Sequence, residues 1–163
     1  LSGEAARDLW QREVPVVVCL HREQSELVQR AFAMLVFYKL YRDMFRRGLQ
    51  SRITHAIIFD EAHRAQQLRL IPTMAKECRK YGISLVLASQ EARDFHESVF
   101  SAIAHQLVLR VNEADAKALA RNMATAAEQR TVMDRLKSLP KFHALYFSEG
   151  EPVRHVRLLA DGA

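Results

Sequence analysis

Ala56-Ile57-Ile58-Phe59-Asp60-Glu61-Ala62-His63 is the stretch whose reading decides the fold. A short apolar run that stops at two adjacent carboxylates has the pattern of a buried parallel strand delivering acids to its carboxyl end, where the ligands of open α/β sheets gather. Read as chemistry, Asp60 suits the hydration shell of a magnesium ion, and Glu61 suits a general base that orients water for in-line attack on a γ-phosphate. Read as structure, the same pair simply begins a loop or caps the helix that follows. His63 comes just after the acids, and with no orienting partner in sight it reads as a coupling or loop-anchoring group rather than a base.

Polyphosphate held beside such acids needs a cradle of backbone amides and a lysine, the G-x-x-x-x-G-K-[ST] pattern. The glycines are Gly3, Gly48, Gly82, Gly150 and Gly162, and none is followed by Lys and then Ser or Thr. The expectation is therefore the carboxyl half of an ATPase core, downstream of its phosphate-binding loop, organised as a single domain over residues 1–163.

The pattern on either side of the acids alternates strand and helix, which implies an α/β fold with a mainly parallel sheet and helices on both faces. Val14 to Leu20 is a β-branched run. Ser25 offers an N-cap to a helix from Glu26 to Arg47 that Gly48 stops, and this helix is apolar on so many sides that it is expected to pack centrally. His55 to Phe59 is the second strand. Leu70 to Tyr81 reads as a helix ended by Gly82, and Ile83 to Ala88 as a strand buried on both faces, followed by Ser89 and Gln90. A short helix around Asp94 to Ala104 leads to a strand from Gln106 to Val111. Asn112 with Asp115 and Thr125 with Glu128 are capping boxes opening two more helices, the second being the clearer signal. Phe142 to Phe147 and Val153 to Leu159 form a terminal antiparallel hairpin. The strands Ile83 to Ala88 and Gln106 to Val111 are expected to pair directly, with the hairpin outside them, the alternative being a strand donated between them by another chain.

Composition sets bounds on the class. With 49% hydrophobic and 26% charged residues the chain reads as globular, long enough for a substantial core. The apolar run Ala31 to Tyr38 is closed by Arg30 and Lys39, too short to span a bilayer, and Leu1 to Arg12 lacks the apolar segment of a secretory leader. A cytoplasmic protein without a membrane partner is expected. Cys19 and Cys78 lack metal-ligand spacing and read as reduced structural thiols, and His21 two residues after Cys19 is only a weak zinc signal. The net charge of +5 is carried mostly by arginine, whose planar fork suits phosphate. Arg42, Arg46, Arg47 and Arg52 form the candidate nucleic-acid patch, the alternative being a solvated helix end whose cations complement the dipole. Gln90 suits a hydrogen bond to a γ-phosphate or attacking water, and otherwise satisfies loop amides. Arg79 suits stabilisation of transition-state charge in its own subunit or the next, and otherwise complements the helix dipole.

Taken in order, IIFDEAHRA, AKECRKYGISLVLASQ and an apolar strand with Arg110, Asn112 and Asp115 resemble the carboxyl half of the HerA and FtsK superfamily of DNA-translocating ATPases, with type IV secretion ATPases also similar. The resemblance covers roughly Pro15 to Leu159 and HerA is the nearest pattern. It implies a partial RecA-like core, ATP and Mg2+ as cofactors, double-stranded DNA as partner, a homo-oligomeric, hexameric ring in the intact protein, and a partner nuclease in DNA repair or prokaryotic defence. It also implies Asp60 as the magnesium-coordinating acid, Glu61 as catalytic base, Gln90 as γ-phosphate sensor next to Ser89, and Arg79 as the arginine implicated in hydrolysis. Glu91-Ala92-Arg93 departs from the Arg-Pro-Ser usual after the glutamine. An ATPase that energises conjugation or secretion, and a non-catalytic interaction module on an ATPase-like scaffold, stand as the alternatives.

Overall fold

The computed structural model of the chain describes residues 14–19, 25–60 and 70–158. Backbone contacts gather into two compact units, one ending at Ala88 and the other beginning at Ser89.

In the first unit, helix α1 spans Glu26–Arg46, and the Ser25 hydroxyl accepts the Val28 N–H at 3.4 Å as its N-cap. Strand β1 is His55–Phe59, helix α2 is Leu70–Glu77, and strand β2 is Ile83–Leu87. Between α2 and β2 the chain tightens into a 3-10 turn, Cys78–Tyr81, ended by Gly82 in the left-handed region at φ 71°. β1 and β2 pair in parallel, from His55 opposite Ile83 to Phe59 opposite Leu87. The helices close on this pair through aromatic contacts. Phe37 lies 5.5 Å from Phe59 and Phe45 5.1 Å from Tyr81, centroid to centroid.

Two expectations for this unit are corrected. α1 is packed on one face, burying Gln29, Ala33, Phe37, Asp43 and Met44, while Leu27 stays 78% exposed. A two-stranded sheet is too narrow to cover more than one side of a 21-residue helix. Secondly, no strand forms among the described residues of Val14 to Leu20; Val17 is 80% exposed. Leu20 itself lies outside the described residues. β-branched composition suits a pleated surface but does not supply the ladder that makes a strand.

In the second unit, a 3-10 turn Ala92–Asp94 and the short helix α3, Glu97–Phe100, replace the one helix expected from Asp94 to Ala104. Phe95 between them is extended at φ −111°, ψ 132°, which breaks the run. Strand β3 (His105–Val108), helices α4 (Glu113–Met123) and α5 (Gln129–Ser138), and strands β4 (His143–Ser148) and β5 (Arg154–Arg157) follow. β3, β4 and β5 form an antiparallel sheet in that order. Ala116, Leu119, Ala120, Met123, Val132, Leu136 and Leu145 form its core with the side chain of Ala92.

The expected pairing of the strand after Gly82 with the strand after Ala104 does not occur: β2 pairs with β1 and β3 with β4, in separate sheets. The hairpin occupies one edge of β3, from His105 opposite Ser148 to Val108 opposite Leu145, as expected of its outer position. Of the two expected helix starts, one forms as expected and the other is displaced. Asn112 caps α4, its side-chain oxygen accepting the Asp115 N–H at 2.9 Å. Thr125 instead gives its hydroxyl to Glu128 at 2.6 Å, and α5 starts later, at Gln129. The Glu128 carboxylate also accepts the Thr125 N–H at 3.4 Å, so one half of the box is made, but α5 has no side-chain bond at its own N-cap position, Glu128.

Gly82 carries a double constraint that is open to test. Besides its positive φ, a Cβ there would sit 2.7 Å from the Arg52 carbonyl oxygen and 2.8 Å from Gln50 Cβ. Gly82→Ala should therefore lower unfolding free energy by about 2 kcal/mol or more, read as a shifted urea midpoint. Gly48→Ala, with φ 72° but open space around it, should cost about half as much.

Candidate functional site

The parallel register places the acid. Beyond the last pair, Phe59 with Leu87, the Ala88 N–H donates to the Phe59 carbonyl at 3.0 Å, so the two strands leave the sheet level with each other. Asp60 is the next residue of β1 and stands exposed at this carboxyl edge. Glu61 and His63 lie outside the described residues. So does His21.

Arg79 is at the other end. It belongs to the turn that precedes β2, and its carbonyl accepts the Gly82 N–H at 3.1 Å. Parallel strands rise about 3.3 Å per residue, and Gly82 is level with Thr54, so roughly 20 Å of sheet separates the level of Gly82 from that of Asp60. The guanidinium is exposed at the amino edge of the sheet, and the structure does not bring it to Asp60.

Ser89 and Gln90 open the second unit in a loop tied down on both sides of the glutamine. The Ser89 hydroxyl donates to the Asp94 carboxylate, which also accepts the Glu91 N–H at 3.3 Å. Arg93 pairs with Glu91. The Ala92 N–H donates to Asp115 Oδ1 at 3.0 Å, across from the start of α4. Gln90 itself is exposed. Asp94 and Ala92 had no part in the chemistry read from the sequence, and Asn112 with Asp115 entered it as a helix start and as part of the family resemblance, without a role in the site.

The four arginines expected to form one phosphate-facing patch separate into two kinds. Arg47 is turned into the fold, donating to Thr54 Oγ1 at 2.7 Å and to His55 Nδ1 at 2.9 Å, and burial lowers the pKa of its guanidinium. It ties the end of α1 to the start of β1, which corrects its assignment to the patch. Arg42 and Arg46 lie along α1, where both approach the buried carboxylate of Asp43, at 3.6 and 3.5 Å, and Lys39 donates to it. Arg52 is exposed.

As to cofactors, a magnesium ion needs one or two carboxylates and keeps waters and phosphate oxygens for the rest of its shell. Asp60 at a strand's carboxyl edge fits that demand, and among the described residues no cluster of three His, Cys, Asp or Glu side chains offers a closed metal cage. Among the described residues no glycine offers a triphosphate cradle: Gly82 packs against Arg52 and Gln50, and none begins a helix.

Asp43 gives a pH signature. Burial pushes its carboxyl up, but the hydrogen bond from Lys39 and the charges of Lys39, Arg42 and Arg46 outweigh this and hold it below its ordinary value. A depressed folded-state pKa contributes stability that is complete above the unfolded value and is lost as pH falls through the folded one. Asp43→Asn should therefore lower the thermal midpoint at about pH 7, and the difference from the parent should shrink toward about pH 2.

No protein-family profile matches the sequence, and no curated protein matches it. Solved structures do. The chain is similar to the genome packaging NTPase B204 from Sulfolobus turreted icosahedral virus 2 in complex with AMPPCP, at TM-score 0.59 and 14% identity over 80% of this chain and 62% of that one. It is similar to VirB4 of Thermoanaerobacter pseudethanolicus at TM-score 0.64 and 23% identity, over 85% of this chain and 39% of VirB4. It is similar to the bacterial conjugative coupling protein TrwB at TM-score 0.61 and 12% identity, over 82% and 37%. The chain thus spans about three-fifths of the packaging NTPase and under two-fifths of the other two. Its fold is that of part of a RecA-like P-loop NTPase.

Proposed function

We propose that this chain is the carboxyl part of an ATP-driven motor on double-stranded DNA, of the HerA type, holding the acid and sensor segments of the nucleotide site but not its phosphate-binding loop. The observation that carries this reading is the register of β1 and β2, which sets Asp60 at the carboxyl edge of a parallel pair, with the Gln90 loop following β2. In this reading Asp60 holds the waters of magnesium, Glu61 takes the proton of the attacking water, and Gln90 with Ser89 meets the γ-phosphate. In the same reading Arg79, at the opposite edge, serves a nucleotide bound by a neighbouring copy in a ring. A nuclease partner and a role in repair or defence belong to the same proposal. A second reading, an ATPase of conjugative transfer, draws support from the likeness to TrwB.

ATP turnover tests the hydrolase reading. The 163-residue chain should release phosphate negligibly. A longer polypeptide that supplies the phosphate-binding loop should turn over ATP with magnesium, and Glu61→Gln there should lower kcat by about a hundredfold or more while ATP binding persists, because the amide keeps the shape but cannot take a proton. Robust magnesium-dependent turnover by the 163-residue chain itself overturns the assignment.

DNA affinity tests the surface. Each phosphate contact adds about 0.9 to the slope of log affinity against log salt, so replacing Arg42, Arg46 and Arg52 by Ala should flatten that slope by about 2 to 3. Arg47→Ala should leave the slope alone and lower stability, since its guanidinium is held by Thr54 and His55. An unchanged slope in the triple variant returns these arginines to a solvated helix end.

A further inference from the structure

A helix N-terminus is satisfied once its N-cap side chain has taken an amide and an acid stands in the first turn. At α4, Asn112 takes the Asp115 N–H, and Glu113 already supplies an exposed first-turn acid. Asp115 is nevertheless 7% exposed, and its carboxylate faces away from its own helix's amides. Oδ2 accepts the Asn112 side-chain amide at 2.7 Å and Oδ1 accepts the Ala92 N–H at 3.0 Å, a bond spanning 23 residues. A buried carboxylate whose hydrogen bonds come from neutral donors, even with the Arg93 charge acting on it, costs desolvation that a cap alone would not require.

What it reaches is the backbone two residues past Gln90. The Ala92 methyl sits in the core with Ala116 and Leu119 of α4, so the loop is held by its amide and its side chain together. On the other side of Gln90, Ser89 is held through Asp94, which also takes the Glu91 N–H. Gln90 is the exposed residue between two fastened ones.

The geometry points to Asp115 as a positioning residue that couples the start of α4 to the loop presenting Gln90, so that α4 sets where the glutamine meets the γ-phosphate. This rests on the nucleotide-site reading of Gln90. A shift of α4, whatever moves it, is passed to the loop through one N–H to carboxylate bond and one methyl contact.

The donor and acceptor pattern supplies a rescue test. In Asp115→Asn, residue 115 can still accept from Ala92, but its amide then faces the amide of Asn112. If Asn112 turns to accept it, the Asn112 amide faces the backbone N–H of residue 115. One donor always meets a donor. Asn112→Asp sets two carboxylates together instead. The double exchange, Asn112→Asp with Asp115→Asn, returns every donor to an acceptor, including the bond to Ala92.

In the full-length polypeptide each single variant should lower kcat about tenfold, with KM for ATP changed less than about twofold, and the double should recover to within about threefold of the parent. Ala92→Pro separates the loop from the cap. It removes the donor and sets a ring carbon in its place, at the first position of a turn entered from the extended Glu91 at φ −131°, ψ 141°, and should reproduce the kcat loss with the Asn112 cap intact. Parental kcat in the singles with only a lower thermal midpoint, or a double that does not recover, overturns the inference. Gln90→Ala in the same assay keeps the two readings apart, since parental kcat there overturns the sensor assignment of Gln90. The clamp is then read directly in the 163-residue chain: Asp115→Ala should raise amide exchange at Ala92 at least about tenfold relative to β4, and equal exchange overturns it.

Discussion

The parallel ladder between β1 and β2 is the constraint on which the first unit depends. Because the register runs from His55 opposite Ile83 to Phe59 opposite Leu87, the two strands end together, and a slip of one residue would turn each strand's apolar set to the other face. The ladder is entered through Gly82, whose carbonyl accepts the Thr54 N–H at 2.8 Å and whose missing side chain lets the Arg52 carbonyl approach. Arg47 reinforces the same corner through Thr54, whose hydroxyl lies 3.2 Å from the Gly82 carbonyl. Both the place of Asp60 at one end and that of Arg79 at the other follow from this one pairing.

Each unit buries a carboxylate, and the two are satisfied in opposite ways. Asp43 draws on three cations along its own helix, Lys39, Arg42 and Arg46, all of which keep contact with water. Asp115 takes its hydrogen bonds from neutral donors, one of them a backbone amide distant in sequence, with the charge of Arg93 acting beside them. The first arrangement relies on charge and weakens with salt and acid; the second relies on direction and distance. This is why Asp43 belongs to the stability of a helix while Asp115 constrains geometry.

Much of the element order was legible because its signals are local. Ser25 and Gly48 bracket α1, Gly82 punctuates the passage from α2 to β2, and the apolar runs His55 to Phe59 and Ile83 to Leu87 coincide with strands. What failed required knowledge of partners. The valines from Val14 to Val18 have strand composition but no ladder among the described residues, and β2 and β3 are both strands yet do not pair. The same holds for the candidate site. Asp60 could be placed from its strand, whereas the inward turn of Arg47 and the reach of Asp115 to Ala92 depend on residues that only folding brings near.

The long span between paired strands in the first unit also has a kinetic side. His55 cannot meet Ile83 until the whole crossover through α2 has closed, and that loop entropy must be met before any ladder bond returns it. The α4–α5 pair and the β4–β5 hairpin close over short stretches, from Met123 to Gln129 and from Ser148 to Arg154. Local contacts of this sort close at low entropic cost, whereas β3 meets β4 only after the whole α4–α5 segment has closed. Each unit thus has one closure across a long stretch of chain, and in the first unit it is the closure that sets the place of its acid.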